Sequence, residues 1–147
     1  MKSLWSIDLQ SSWFIVTILL VLGHKEAEEL LKGRLAFFNV LKPFCEKVEE
    51  LPLAVCDART SIDEDFLTMK LKYRERTGEF FVLRHSPKYE WYYFPWIESK
   101  HAIFLKTYDS GTDGRARFTG HSAFQDANSP ASTQQRESIE IRTMAFF

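Results

Sequence analysis

The chain has few of the residues that define specialised protein classes. Its 147 residues include two cysteines, Cys45 and Cys56, too few for a disulfide framework or a four-ligand zinc site. Six glycines and five prolines exclude a fibrous or low-complexity chain. Nineteen basic residues against twenty acidic ones give a net charge of −1, without the basic excess typical of nucleic-acid binding. These counts predict one cytoplasmic globular domain with reduced thiols and no nucleic-acid partner.

Several common catalytic motifs are also missing from the sequence. It contains no H-E-x-x-H, no C-x-x-C and no G-x-S-x-G, which removes the usual zinc protease, redox and hydrolase signatures. The segment from Asp109 to Gly114 resembles the start of a calcium loop. Gly120 stands where that loop needs a bidentate glutamate, so we do not expect a calcium site.

The first 23 residues differ in character from the rest of the chain. They carry two charged side chains, Lys2 and Asp8, and the ten-residue apolar run from Trp13 to Leu22. A membrane-spanning helix needs about 20 residues, and a signal peptide needs a small-residue cleavage site that does not follow here. The segment is therefore a buried core segment, a weakly membrane-associating segment, or sequence foreign to the domain behind it.

The remaining residues predict a mainly β fold. Hydrophobic residues make up 45% of the chain and aromatic residues 15%, enough for a sizeable core or an apolar pocket. Lys25 to Lys32 favours a helix ended by Gly33 in the left-handed conformation, and Ser61 with Glu64 favours one short helical turn. Many short strands separated by turns predict a β-sandwich or barrel rather than alternating strands and helices. We predict strands at Arg34–Val40, Leu53–Cys56, Phe80–Leu83, Trp91–Phe94, Ala102–Tyr108, Ala116–Phe118 and Ser138–Phe147.

One set of polar residues near the C-terminus suggests chemistry. His121 follows a predicted strand, and Arg136 and Ser138 stand two residues apart on another, so they face the same way about 6.6 Å apart. A guanidinium can bind a carboxylate through two parallel hydrogen bonds, and a nearby hydroxyl can add a third. An imidazole held near that pair can ligate a metal ion. By itself the pattern is weak, because a surface histidine and an exposed strand arginine without any function produce the same sequence pattern.

Longer motifs over residues 26–147 resemble the fungal asaB-type hydroxylase/desaturase family, which includes a gibberellin desaturase and relatives of the cephamycin methoxylation component. The matching segments are Glu28–Arg34, Pro52–Asp57, Arg76–Glu79, Trp91–Pro95, Tyr108–Ser110, Asp113–Thr119, His121–Phe124 and Arg136–Arg142. The resemblance implies a partial double-stranded β-helix (jelly-roll) with one or two short helices. It also implies iron(II), 2-oxoglutarate as cosubstrate, and the hydroxylation or desaturation of a secondary metabolite.

The resemblance assigns roles to three residues. His121 matches the distal iron ligand, Arg136 the residue that anchors 2-oxoglutarate, and Ser138 its helper. Three further residues lie in family-typical motifs: Tyr92, Lys106 and Asp109. We assign them no functional role and expect them to be structural. The aromatic residues from Trp91 to Trp96 either line a substrate pocket or fill the core, and core filling is the stronger expectation.

The sequence departs from the family where the other two iron ligands are expected. The position expected for the family's H-x-D motif lies within residues 1–23. The nearest match there is Ser6-Ile7-Asp8, which has serine in place of histidine. His24-Lys25-Glu26 has the right form but stands too close to the motif that follows it. A facial triad needs three protein ligands, so we expect impaired turnover. We expect residues 24–147 to be the C-terminal part of the family fold behind a truncated or mis-spliced start, with an inactive paralogue or non-catalytic accessory protein as the alternative.

Overall fold

The computed structural model describes residues 5–7, 22–74, 77–130 and 134–147, with the backbone alone for residues 5–7 and 79. Most of the apolar run from Trp13 to Leu22 lies outside the described residues. The elements in chain order are β1 (Trp5–Ile7), α1 (His24–Leu30), β2 (Leu35–Pro43), β3 (Leu53–Cys56), two 3₁₀ turns (Ala58–Thr60 and Asp63–Asp65), β4 (Phe66–Lys72), β5 (Thr77–Leu83), β6 (Trp91–Tyr93), β7 (Ile103–Asp109), β8 (His121–Ala123) and β9 (Ser138–Phe146).

The described strands form three antiparallel sheets of three strands each. Their orders are β1-β5-β4, β7-β2-β9 and β6-β3-β8. Strands far apart in sequence are neighbours in space, since β2 pairs with both β7 and β9. The mainly β class predicted from the short strands is therefore confirmed.

The two ends of the β7-β2-β9 sheet have different surroundings. At one end, Leu35 and Phe37 pack with Ala27 of α1 in a core cluster. At the other end, Leu41 lies opposite Ile103, and Pro43 lies opposite Ser138. Because successive side chains of a strand alternate between faces, these odd-numbered β2 residues and their partners share one face of the sheet.

The β6-β3-β8 sheet also has two distinct faces. Cys56 of β3 packs with Leu83 of β5 and with Trp91 in a second core cluster. The opposite face carries Val55, which lies between Tyr92 on one side and His121 on the other. Burial on the first face fixes the register of β3 and so determines the side on which His121 projects.

The loop before β8 contributes an aromatic residue that joins two sheets. The predicted strand Ala116–Phe118 is wrong, because these residues pair with no strand. The Phe118 ring lies 5.2 Å from that of Phe81 and 6.0 Å from that of Tyr108, which belong to different sheets. Its apolar character reflects this packing rather than a place in a β-ladder.

The end of α1 also differs from the prediction. The helix ends at Leu30, and Leu31 keeps a right-handed conformation. Gly33 does not adopt a positive φ, so the predicted left-handed cap is wrong. A side chain at Gly33 would collide with the carbonyl of Phe147, and this close approach lets Arg34 exchange backbone hydrogen bonds with Phe147.

Two further elements differ from the sequence-based expectation. Strand β4 (Phe66–Lys72) was not predicted, and β2 extends to include Pro43. The predicted capping box of Ser61 and Glu64 is wrong as well. The turn at Asp63–Asp65 is instead closed by the Asp65 carboxylate, which accepts a hydrogen bond from the Ile62 amide at 3.1 Å.

Candidate functional site

Arg136 and Ser138 line one small cavity between two sheets. Arg136 precedes β9 rather than lying on it, which corrects the predicted strand spacing, but the two side chains still meet at the same cavity. The cavity has a volume of about 10 Å³ and is walled by apolar residues of both sheets, among them Leu41, Leu53 and Ile103. A space of this size holds about one water molecule.

The Arg136 guanidinium is bound to the protein by a single backbone contact. Its Nη1 donates a hydrogen bond to the carbonyl of Leu51 at 2.6 Å. The other half-buried arginines of the described residues face carboxylates: Arg34 binds Asp109 at 2.6 Å, and Arg117 lies 3.7 Å from Asp63. Within residues 22–74, 77–130 and 134–147, Arg136 has no carboxylate partner, so its positive charge is left for an anion from outside these residues.

His121 is the first residue of β8 rather than a residue that follows a strand. Its ring is half-buried, and Nδ1 lies 2.9 Å from the carbonyl of Thr119. This contact favours the tautomer with the proton on Nδ1, which is the state in which Nε2 can ligate a metal.

The distance between His121 and the Arg136 cavity follows from the sheet. His121 does not line that cavity. Leu53 does line the cavity, and His121 projects from the same face of the sheet as Leu53. In that sheet Leu53 lies opposite Ala123, and His121 lies opposite Val55. One step of two residues, about 7 Å along the strands, separates the two positions.

The described residues do not complete an iron site. In the part of the chain that the structure describes, no three His, Cys, Asp or Glu side chains lie close enough together to hold a metal ion. His24 and Glu26 are exposed on α1. The side chains of Ser6-Ile7-Asp8 lie outside the described residues. His121 is thus the single predicted ligand that these residues supply, where a facial triad needs three.

A larger cleft adjoins the Arg136 cavity. Its volume is about 490 Å³, and exposed aromatic side chains, including Phe94, Trp96 and Phe104, line it. Ile97 and Ile103 line both this cleft and the Arg136 cavity, so the two spaces share a wall. The expectation that the segment from Trp91 to Trp96 fills the core holds for Trp91. It is wrong for Phe94 and Trp96, which line the cleft.

Lys106 and Asp109 belong to a structural ion-pair network. Asp109 is fully buried and receives hydrogen bonds from Arg34, Lys106 and the Gly111 amide. The hydrogen bonds from the Arg34 guanidinium hold the pKa of the Asp109 carboxyl well below its usual range. The network joins the start of β2 to the end of β7. Tyr92 is exposed and donates to Glu90 at 2.9 Å, away from both cavities.

Sequence reasoning missed three residues that shape the site. Leu51 supplies the carbonyl that holds Arg136, and Ile97 and Ile103 form the shared wall. Backbone acceptors leave no trace in residue type, so Leu51 had no signal beyond the proline that follows it. Ile103 is the second residue of the predicted strand Ala102–Tyr108, but which face of that strand is buried depends on the pairing partner.

The fold matches solved structures of one class of oxygenase. The structure superposes on an iron and alpha-ketoglutarate-dependent endoperoxidase, NvfI, with a TM-score of 0.87 and 29% identity, over 99% of this chain and 52% of that one. A second NvfI structure, in a different conformation, gives 0.87 and 30% identity over 53% of its length. The fold is therefore mainly β, of the jelly-roll class of iron/2-oxoglutarate oxygenases.

The chain belongs to the family described as Oxidoreductase/YMDC permease-like domain, whose model matches residues 7–146. It is 38% identical over 136 residues to the hydroxylase/desaturase asaB of Aspergillus flavus, covering 83% of this chain and 60% of asaB. It is 34% identical to aspirochlorine biosynthesis protein N of Aspergillus oryzae, covering 84% of this chain and 52% of that protein. The asaB-type resemblance is confirmed by these homologues, and the chain spans about half the length of the curated relatives that it matches.

The structure also bears on membrane association. Within the described residues, it contains no helix with the length and apolar character of a membrane span.

Proposed function

We propose that this chain carries the cosubstrate-binding part of an iron(II)/2-oxoglutarate oxygenase that hydroxylates or desaturates a secondary metabolite. The observation that carries the proposal is Arg136, a half-buried arginine without a carboxylate partner among the described residues, beside the hydroxyl of Ser138. Both cavity groups can donate hydrogen bonds, which suits a carboxylate.

The terminal carboxylate of 2-oxoglutarate is the ligand that we assign to this pair. Two oxygens in a plane match the fork of a guanidinium, and the Ser138 hydroxyl can donate a third hydrogen bond. The cavity holds about one water molecule and is smaller than a carboxylate group. The ligand carboxylate therefore enters only when neighbouring side chains move outward. Most of the remaining wall is apolar and supplies no competing acceptor for the guanidinium.

We assign His121 the role of one iron ligand. It faces the same side as Leu53, next to the anchor for the cosubstrate, and its Nδ1 contact with Thr119 orients the ring. One histidine does not fix the geometry of iron, so we assign no oxidation step to the described residues. Iron(II) therefore belongs to the proposal through its relatives, one of which is named a Fe(II)/2-oxoglutarate-dependent dioxygenase.

The neighbouring cleft is the part of the surface that we assign to the small-molecule substrate. Its volume of about 490 Å³ lies within the usual range for ligand pockets, and its aromatic walls suit an apolar natural product. Its shared wall with the Arg136 cavity supports this assignment, because the reaction needs substrate and cosubstrate next to each other. We also propose the cytoplasm as the location, supported by two buried free thiols, Cys45 and Cys56.

Calorimetric titration of the 147-residue chain with 2-oxoglutarate, without metal, tests the anchor. We expect measurable binding that Arg136→Ala weakens at least tenfold, since a charged hydrogen bond contributes about 1.5–3 kcal/mol. Arg142→Ala is the matched control, because Arg142 lies on β9 itself and faces Glu140. Equal affinities of the wild-type and Arg136→Ala chains would overturn the proposal.

A second function, that of a non-catalytic accessory protein, is favoured by one observation. The described residues lack a group of three metal ligands. Anaerobic titration with iron(II) in the presence of 2-oxoglutarate tests the accessory function. We expect no well-defined charge-transfer band at micromolar iron for this chain; such a band would show that the missing ligands are supplied after all and would exclude the accessory role.

A further inference from the structure

The backbone turn at Leu51 has an unusual conformation. Leu51 has a φ of 48°, in the left-handed region that non-glycine residues rarely adopt. It also precedes Pro52, which favours extended backbone at this position. A leucine in this conformation is strained, and such strain persists only where surrounding contacts impose it.

Three neighbouring contacts hold this turn in place. The Ser129 hydroxyl donates to the carbonyl of Glu49 at 2.6 Å, and the amide of Phe124 donates to the carbonyl of Pro52 at 3.2 Å. The third contact is Arg136 Nη1 on the carbonyl of Leu51 itself. The Leu51 carbonyl therefore meets the guanidinium within a turn in which Glu49 and Pro52 are also anchored.

The atom that Leu51 binds determines which edge of Arg136 is left. Three other arginines, Arg34, Arg59 and Arg115, each hold a carboxylate by the edge formed by Nε and Nη2. Arg34 binds both oxygens of Asp109 this way at 2.9 and 2.6 Å, and Arg115 binds Asp113 by the same two atoms. In Arg136 the Leu51 carbonyl takes Nη1, and among the described residues no acceptor lies at Nε or Nη2.

We propose that Leu51 is a positioning residue, whose carbonyl fixes Arg136 by Nη1 and so presents the Nε–Nη2 edge to a carboxylate. The inference rests on the proposed function for the identity of that carboxylate, 2-oxoglutarate. The role belongs to the backbone conformation at residue 51 rather than to the leucine side chain. Glycine at this position keeps the left-handed conformation without strain, whereas a β-branched residue resists it.

The first test measures the guanidinium without any ligand. The NMR signal of the Arg136 Nη1 protons, one of which is hydrogen-bonded to the Leu51 carbonyl, is identified by its loss in Arg136→Lys. We expect the signal to be retained in Leu51→Gly and lost to fast solvent exchange in Leu51→Val. Gly114→Val is the control, because it imposes similar strain at an exposed turn with φ of 90° and no neighbour within 4 Å. An unchanged signal in Leu51→Val would overturn the positioning role.

The second test measures 2-oxoglutarate affinity by calorimetry in the same variants. We expect Leu51→Gly to bind within about twofold of the wild type and Leu51→Val to bind roughly tenfold more weakly, about 1.4 kcal/mol. In the Arg136→Ala background, Leu51→Val should have no further effect. Affinity that depends on Arg136 but not on Leu51 overturns this inference alone. Affinity independent of Arg136, with the NMR result as expected, overturns the proposed function and retains the positioning role.

Discussion

Two arginines in this molecule have different surroundings, which suit a structural role for Arg34 and the ligand-binding role that we propose for Arg136. Arg34 binds the fully buried Asp109 through two hydrogen bonds, and the Phe147 ring lies 4.5 Å from its guanidinium carbon. Arg136 meets a backbone carbonyl and, among the described residues, no carboxylate. The charge of Arg34 is neutralised by a carboxylate of the chain itself. In our proposal, the charge and the Nε–Nη2 edge of Arg136 bind the carboxylate of a ligand.

The two arginines should contribute unequally to the free energy of unfolding. Asp109→Asn removes the buried partner of Arg34, and breaking such a pair should lower the free energy of unfolding by about 3 kcal/mol. Arg136→Ala should lower it by only about 1 kcal/mol, because the hydrogen bond to the Leu51 carbonyl is lost but no internal ion pair is broken. Urea unfolding followed by circular dichroism measures both values. A large loss for Arg136→Ala would show that this residue is structural too.

The second prediction concerns acid stability, to which the two regions contribute unequally. The pKa of Asp109 is held below its usual range by Arg34, and that of Asp65 is lowered to about 2, mainly by Lys88. Carboxyl groups with a lowered folded-state pKa stabilise the fold fully above the unfolded-state pKa, about 3.9, and lose that effect as the pH falls.

The free energy of unfolding should therefore decline as the pH falls from about 5 to 2. Urea titrations across this range measure the decline, which Asp109→Asn should make shallower. Arg136→Ala is the comparison variant and should leave the slope unchanged, because Arg136 faces no described carboxylate. A slope that Asp109→Asn does not alter would contradict the assignment of the lowered pKa to this pair.

An effect smaller than that of Asp109→Asn comes from the backbone beside Arg34. Gly33→Ala places a methyl group against the carbonyl of Phe147, so the strand pairing of Arg34 with Phe147 must shift. We expect a loss of about 1–2 kcal/mol in the free energy of unfolding, as for other overpacked sites. The affinity for 2-oxoglutarate should stay unchanged, since Arg136 lies at the other end of the sheet. Wild-type stability of Gly33→Ala would contradict the close approach.

Much of the fold could be predicted because local pattern and tertiary contacts agree. The segments at β3, β6 and β9 have clear strand composition, and each was placed to within about one residue. Strand β4 was missed although Leu67, Met69 and Leu71 alternate with polar residues, the period expected of a strand. Phe118 was assigned to a strand because a packed aromatic residue in a loop has the same composition.

The site could be predicted less completely than the fold. Arg136 and Ser138 were found from a two-residue spacing that turned out to span the start of β9, where both still reach one cavity. Their roles and that of His121 stay predictions. The carbonyl of Leu51 and the wall of Ile97 and Ile103 depend on long-range pairing, so no local pattern could reveal them.

A crystal structure of the 147-residue chain with 2-oxoglutarate would show whether Arg136 anchors this ligand. We expect one carboxylate of the ligand on the Nε–Nη2 edge of Arg136, with Ser138 within hydrogen-bonding distance and the Leu51 carbonyl still on Nη1. The Arg34–Asp109 pair should be unchanged. A ligand bound elsewhere, or an Arg136 edge closed by a carboxylate of the chain itself, would contradict this expectation.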